Sequence, residues 1–464
     1  MVFSSFAFLF VFLPLLLAAY YLVHPKLRNV VLLVFSYAFY GWWRLDFTLL
    51  LLASTFVDFI CGQAIYRSKA PRRRKAWLAV SVIFNLGLLG YFKYFNFGVD
   101  NLNAVLGVLG FSAVGWTEVV LPVGISFFTF QTMSYTIDIY RGEIKPTNNP
   151  LDFGTYVSMF PQLVAGPIVR YREIQERLHE RKHSLEQFSS GVTIFLIGFN
   201  KKVLLANNFG LAADEVFNHG PGGMLSAWLG LLAYTFQIYF DFSGYSEMAV
   251  GLGRMLGFEF PRNFDSPYRS QSITEFWRRW HISLSRWIRD YLYISLGGNR
   301  GSVAATYRNL ALSMLLCGLW HGAAWTFVVW GAFHGALLIA ERLNGRKPYY
   351  ASLPHWGRVA VTWLLVMLGW LVFRASDMSF CLQYLVAMFD VTQPGFAADS
   401  YWVRQPFFFG LTVVGFLLVF KGVDAFELAK RRRVLVTAAQ LGLFVLAIGE
   451  LLSQGFNPFL YFQF

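Results

Sequence analysis

Charged side chains are scarce in this sequence. Only 14% of its 464 residues are Asp, Glu, Lys or Arg, against about a quarter in a typical soluble domain. So little charge cannot cover the surface of an ordinary water-soluble protein of this size. Cysteine is rarer still. Cys61, Cys317 and Cys381 lie far apart and form no CxxC pair, which excludes a disulfide framework or a thiolate metal site. All three read as small buried hydrophobes. GxSxG and a GxGxxG opening a βαβ unit are also missing. α/β-Hydrolase and dinucleotide-binding chemistry therefore have no motif to rest on. There is no internal repeat and no low-complexity tract, so 1–464 reads as a single integral-membrane domain.

What is present is apolar. Hydrophobic residues make up 56% and aromatic residues 19%. Runs of about 18 residues, enough to cross the hydrocarbon as helix, recur along most of the chain. Spans are expected near 4–23, 29–43, 46–66, 76–98, 118–138 and 190–207. A long one, or two short ones, covers 224–256. Later spans fall near 304–320, 322–341, 358–374, 406–421 and 434–452. Lys plus Arg outnumber Asp plus Glu by 39 to 26. The basic residues read as short loops: Lys26 and Arg28, Lys69 to Lys75, Arg170 to Lys182, Lys201 and Lys202, and Lys430 to Arg433. That distribution marks the cytoplasmic face. The expected partner is anionic lipid of the bilayer, not nucleic acid. The apolar N-terminal run precedes its first positive charge, Lys26, which favours a retained helix with its N-terminus outside.

Two segments do not read as simple spans. Phe153 to Val169 is broken by Pro161, Gly166 and Pro167 and predicts a re-entrant element, tolerated at membrane depth only inside protein or beside a water-filled cavity. Thr274 to Tyr293 places Trp277, His281, Leu284 and Ile288 at i, i+4, i+7 and i+11. Arg279, Arg286 and Arg289 fall on another face. The spacing predicts one amphipathic helix in the interface with His281 on its apolar side.

The run Ala311 to Ala340 has no charged residue but holds His321 and His334. With the basic loops inside and 380–404, which carries Asp390 and Asp399, as an outside loop, 304–341 must enter and return. The turn falls near Gly318 to Ala323 and contains His321. Thirteen residues separate the two histidines, about 220° of rotation on a straight helix. They share no face unless the chain breaks, as it can at Gly322.

Ionisable groups inside a membrane are costly and often functional. His321 suits a general base, because neutral imidazole titrates near neutral pH; the alternative is a packed core imidazole beside Trp320 and Trp325. His334 lies among Gly331, Ala332 and Gly335, where a packing hydrogen bond is the simpler reading. Asp241 needs a partner, and Ser243, Tyr245 and Ser246 are near in sequence. Lys93 and Arg374 complete the set. The residues alone leave enzyme and proton-coupled transporter both open.

QLVAGPIVRY (162–171), YFDFSGYSEMAVGLGRMLG (239–257), NFDSPYRSQSITEFWRRWHISLSRWIRDYLYISLGG (263–298), LWHGAAWTFVVWGAFHG (319–335) and FNPFLYFQF (456–464) resemble, in this order, the membrane-bound O-acyltransferase family. The resemblance implies an all-α polytopic membrane protein. It implies about 11–12 transmembrane helices in a ring, with re-entrant and interfacial helices around a central channel. His321 matches the catalytic histidine and His281 a second functional position. Gln162, Asp241, Ser243, Tyr245, Trp320, Trp325 and His334 are the expected channel-lining or supporting residues. Acetyl-coenzyme A is the expected acetyl donor, with no bound cofactor or metal. Periplasmic acetyltransferases (AlgJ/AlgX-like) are the expected partners, the bacterial inner membrane the expected location, and an exopolysaccharide, most readily alginate, the expected acceptor. Cellulose or another cell-envelope polymer is the alternative. The absence of a repeat argues against a secondary transporter, many of which are built from inverted halves.

The topology can be tested. A single cysteine at position 72 in a cysteine-free background should resist an impermeant thiol reagent in intact cells and react after permeabilisation. Labelling of intact cells would reverse the orientation of the whole chain.

Overall fold

The structure is a computed structural model that describes residues 1–395, 401–422, 424–430, 433–455, 457 and 460. Among these residues it is all-helical, with no strand. Six helices are long and apolar enough to cross a membrane by length and composition: Phe47–Arg67, Pro71–Val108, Leu185–His219, Trp325–Leu343, His355–Arg374 and Val434–Ser453. Phe8–Leu22, Met378–Ala387 and Phe407–Lys421 are shorter apolar helices. The chain is a polytopic membrane protein.

Two compact units divide it. One comprises 1–187 and 253–260, the other 188–252 and 261–464. In the first, α1 (Leu13–Leu22), α2 (Arg28–Gly41), α3 (Phe47–Arg67), α4 (Pro71–Val108) and α5 (Ile125–Arg141) precede three short helices, α6 (Pro150–Ser158), α7 (Phe160–Leu163) and α8 (Tyr171–His179). Pro71 at its first position starts α4 within the basic cluster, so Arg72 to Lys75 are helical and not a loop. The span expected from 118 begins only at Ile125, after Pro122 and a left-handed Gly124. A Cβ on Gly124 would lie 2.6 Å from the Leu163 carbonyl oxygen.

The segment 153–169 is interrupted as its prolines and glycine predict. Helix breaks at Met159, and Phe153, Tyr156, Phe160 and Leu163 are all fully buried. At Gly166 a Cβ would meet the Pro161 carbonyl oxygen at 2.5 Å. Asp58 on α3 is an intramembrane acid the sequence reading passed over. It is fully buried and accepts hydrogen bonds from Ser81 Oγ at 2.5 Å and Asn85 Nδ2 at 2.7 Å.

The second unit begins with α9 (Leu185–Asn200), which runs through a π-helical stretch, Lys201–Asn207, into α10 (Asn208–His219). Lys201 and Lys202 are therefore helical, not loop residues, and Lys202 is only 3% exposed. α11 (Met224–Met255) is one helix rather than two. α12 (Ile273–Arg279) and α13 (Ile282–Trp287) follow, then α14 (Val303–His321) and α15 (Trp325–Leu343). α16 (His355–Arg374), α17 (Met378–Ala387), α18 (Tyr401–Arg404), α19 (Phe407–Lys421), α20 (Ala425–Lys430) and α21 (Arg433–Gln454) complete it. The expected outside loop at 380–404 is partly helical in α17 and α18, and Asp399 lies outside the described residues. So do Arg431 and Arg432 of the last basic cluster.

α14 and α15 form the expected hairpin. Glycine removes the side chains that would hold the two backbones apart. A Cβ on Gly318 would lie 2.2 Å from the Phe327 carbonyl oxygen, and one on Gly331 2.5 Å from that of Met314. Gly335 packs on Met314 in the same way, whereas Ala332 is exposed and outside the contact. Gly318→Val should cost about 1–3 kcal/mol by overpacking. Its melting temperature in detergent should fall below that of Gly87→Ala, whose added methyl meets nothing within 4 Å. Equal melting temperatures would mean the hairpin contact carries no strain-free requirement for glycine.

Candidate functional site

His321 is the last residue of α14. Helical rise puts it about 27 Å from Val303. Gly322 to Ala324 then reverse the chain in extended conformation before Trp325 opens α15. Gly322 must lack a side chain because the Phe327 ring lies over it, 2.0 Å from where a Cβ would be. The His321 imidazole is packed by Trp320, Trp330 and Phe373, with ring centroids at 5.0, 5.2 and 5.3 Å.

His281 is placed by a break that helical periodicity does not anticipate. The expected helix across 274–293 ends at Arg279, and His281 adopts the left-handed region, φ 43°. A non-glycine residue there is strained by about 1–3 kcal/mol and persists only when its surroundings hold it. Here Asn263 does so. Its carbonyl oxygen accepts Ile282 N at 2.9 Å, and its Oδ1 accepts Ser283 N at 3.2 Å and Ser283 Oγ at 2.9 Å. His281 Nδ1 lies 3.2 Å from the same Oδ1. An amide oxygen accepts, so Nδ1 donates and the lone pair of the neutral ring sits on Nε2. Nε2 is buried with no hydrogen-bond partner.

The break leaves most of the predicted burial intact: Trp277, His281, Leu284 and Ile288 are buried and Arg286 and Arg289 are exposed, while Arg279 is half-buried and paired with Glu275 at 2.8 Å. Glu341 near the end of α15 holds this segment to the hairpin. Its carboxylate accepts the Ile273 and Thr274 backbone N–H groups at 2.6 and 2.9 Å. The His281 and His321 rings come within 6.5 Å of each other, centroid to centroid.

A small cavity opens beside His321, walled by Phe242, Trp280, Trp330, Trp370 and Phe373. Of the three histidines, His321 is the one that borders it. Trp330 presents the indole at this cavity. Its Nε1–H is buried and has no hydrogen-bond partner. The two indoles singled out from sequence fit less well. Trp325 is 57% exposed and does not line the cavity, and Trp320 is buried against the His281 and His321 rings instead.

His334 is fully enclosed. Trp330, Trp277 and Phe333 surround its ring with centroids at 4.9, 5.2 and 5.4 Å, and Phe276 stacks on it at 6.3 Å. Neither ring nitrogen has a hydrogen-bond partner, which corrects the expected packing hydrogen bond. α16 closes the cage: a Cβ on Gly369 would sit 2.9 Å from His334 Nε2.

Asp241 on α11 does not rely on nearby hydroxyls. Ser243 Oγ and Ser246 Oγ are buried without partners, and Tyr245 is buried on the same helix. Lys202 Nζ lies 2.9 Å from Asp241 Oδ1, and the Leu460 backbone N–H donates to Oδ2 at 3.0 Å. Lys201, the residue before, pairs at 2.6 Å with Glu247, which lies further along α11. Arg374 pairs with Asp214 at 2.9 Å. Phe242, next to Asp241, packs edge-on against His281 at 4.7 Å.

Residues 32–382 match the membrane-bound O-acyltransferase family along most of the chain. The chain belongs to that family. It is 45% identical, with both chains covered in full, to a probable alginate O-acetylase AlgI of Azotobacter vinelandii. A probable alginate O-acetylase AlgI of Pseudomonas syringae pv. tomato is 51% identical over 84% of this chain and 75% of its own. A peptidoglycan O-acetyltransferase of Helicobacter pylori is 34% identical over 84% and 80%.

As a family member the protein is an O-acyltransferase, and its histidines can be judged as acyl-transfer groups. Of the expected site residues, Gln162 alone falls in the first unit. It lies on α7, fully buried, and donates from Nε2 to the Tyr156 carbonyl at 2.5 Å. Lys202, Asn263 and Trp330 were missed by sequence reading. A charge inside the apolar run 190–207 was the one signal for Lys202. Asn263 and Trp330 lie within the matched motifs, but nothing about their spacing distinguishes them.

Lys202→Met would leave the Asp241 carboxylate buried without its cation, at a cost of about 3–5 kcal/mol. The yield of folded protein in detergent should fall sharply. Lys202→Met/Asp241→Leu should recover most of it, because removing both charges removes the desolvation penalty. A single variant as stable as the parent would show that the ion pair does not hold the two helices.

Proposed function

We propose that this O-acyltransferase takes acetyl from a cytoplasmic thioester, acetyl-coenzyme A, and passes it across the bacterial inner membrane for O-acetylation of an exopolysaccharide, alginate by analogy with its relatives. The reading treats the whole chain as one catalytic domain. The observation that carries it is the position of His321. It is the one imidazole bordering the apolar cavity, and it lies within ring-contact distance of a second imidazole whose tautomer is set.

In this reading the acceptor hydroxyl gives its proton to the His321 imidazole while its oxygen attacks the thioester carbonyl carbon. The tetrahedral intermediate carries a negative oxygen that needs a donor. The Trp330 indole N–H, buried and unpartnered on a residue that lines the cavity, supports that role better than Trp320 or Trp325. Collapse breaks the C–S bond, and the imidazolium returns its proton to the departing thiolate. The products are an O-acetyl ester and free coenzyme A. His281, with Nδ1–H committed to Asn263, offers Nε2 as a second acceptor for a hydroxyl or water. The acceptor hydroxyl in this reading belongs to a periplasmic acetyltransferase partner of the AlgJ and AlgX kind, which carries the acetyl ester on to the polymer.

A general base contributes roughly 10²–10⁴-fold to rate. His321→Gln keeps hydrogen bonding but cannot take a proton at neutral pH. It should reach the membrane at parental levels and lose acetyl transfer by about that factor, measured as acetyl moved from labelled acetyl-coenzyme A into polymer in membranes. His334→Gln, buried away from the cavity, should keep more activity than His321→Gln. Parental activity in His321→Gln would make His321 a packing residue and remove the mechanism.

A further inference from the structure

A second cluster of chemistry lies in the first unit, at the end of α1 and the start of α2. Tyr20 is fully buried and its hydroxyl donates to the Leu256 carbonyl at 2.8 Å. That hydroxyl therefore accepts from His183 Nε2, 3.0 Å away. With Nε2 protonated, Nδ1 is the acceptor, and it meets Arg28 Nη1 at 3.2 Å. Burial first, then the Arg28 and Arg181 charges, hold His183 below the usual imidazole range, in keeping with a neutral ring. The Arg28 and Arg181 guanidinium carbons both lie against the Tyr20 ring, 5.3 and 5.6 Å from its centroid.

Neither arginine has an ion pair among the described residues. The nearby acids are committed elsewhere: Asp152 to Asn29 and His179, Glu259 to Arg177. Arg181 Nη2 is spent on Asn29 Oδ1. Arg28 Nε and Arg181 Nη1 are buried with no hydrogen-bond partner. Two like charges close together, short of acceptors and flanked by exposed Lys26 and Lys182, attract a multivalent anion.

The helix beside the cluster shows what that anion is attached to. Phe12, Leu16 and Tyr20 face inward on α1 and the turn before it, whereas Val11, Leu15, Ala18 and Leu22 form an exposed stripe at i, i+4, i+7 and i+11. The stripe ends at Leu22, 87% exposed, beside a half-exposed Tyr21. A tyrosine at a helix end next to arginine marks the headgroup level of a bilayer. We propose that this corner binds an anionic phospholipid, its phosphate on Arg28 and Arg181 and an acyl chain along the Val11–Leu22 stripe. Such a site is independent of the acyl-transfer chemistry.

Native mass spectrometry of the full chain in detergent tests it, with phosphatidylglycerol, phosphatidylcholine of the same chains and glycerol 1-phosphate as probes. The parent should hold one phosphatidylglycerol more tightly than phosphatidylcholine. Arg28→Gln/Arg181→Gln should weaken it by about tenfold or more, the loss of charge-assisted hydrogen bonds. Leu22→Asp touches an exposed position, so the fold survives, and its charge should repel the headgroup and weaken binding as well. It carries the test if the arginine variant does not fold. Equal affinity for the two lipids, unchanged affinity in the variants, or glycerol 1-phosphate bound as tightly as lipid would each overturn the assignment.

Discussion

The contact between α14 and α15 is what the histidine cluster of this protein depends on. Their backbones meet at Gly318 and Gly331 with no side chain between them. That closeness permits a reversal of only three residues, Gly322 to Ala324, and so leaves His321 as the terminal residue of a rigid helix rather than on a free loop. The same hairpin reaches the other histidine from its far end. Glu341 caps the first turn of α12, and α12 ends just before His281. One pair of helices thus fixes one imidazole by its tip and the second by its base. Rigid elements hold reacting groups to the tolerance that acyl transfer requires.

Around the histidines the protein separates aromatic from charged environments. His321 meets a cavity through a wall of indole and phenyl rings, an environment in which a neutral base and an unpaired N–H act without competition from water. His334 lies a tryptophan away, caged by rings on every side and closed off by α16. Identical side chains in adjacent positions therefore differ in what can reach them. The charges are kept to ion pairs between helices: Lys201 with Glu247, Lys202 with Asp241, Arg374 with Asp214. Breaking such a pair leaves a bare charge where solvent cannot screen it, so each pair also specifies which helix faces which. The π-helical stretch at Lys201–Asn207 is what brings two successive lysines onto a single neighbouring helix, a local widening common at functional sites.

Much of this was legible in the residues. Scarce charge and long apolar runs determined a polytopic membrane protein, because hydrocarbon admits only segments that satisfy their own backbone. Pro161, Gly166 and Pro167 announced the interrupted element, and Gly322 the turn at His321, because both act through local backbone geometry. Motif order named the family. What escaped depends on partners distant in sequence. Helical spacing made 274–293 one helix, but Asn263 holds His281 in a left-handed break that no periodicity encodes. Lys202 looked like a loop residue until Asp241, 39 positions on, gave it a reason to be buried. Trp330 was one tryptophan among 15 until packing set it, rather than Trp325, at the cavity. Composition and local rules act through neighbours along the chain and so determined the class, the turns and the family. Which imidazole meets open space, and which charge meets which, are decided by contacts between helices, and only the tertiary structure brings those together.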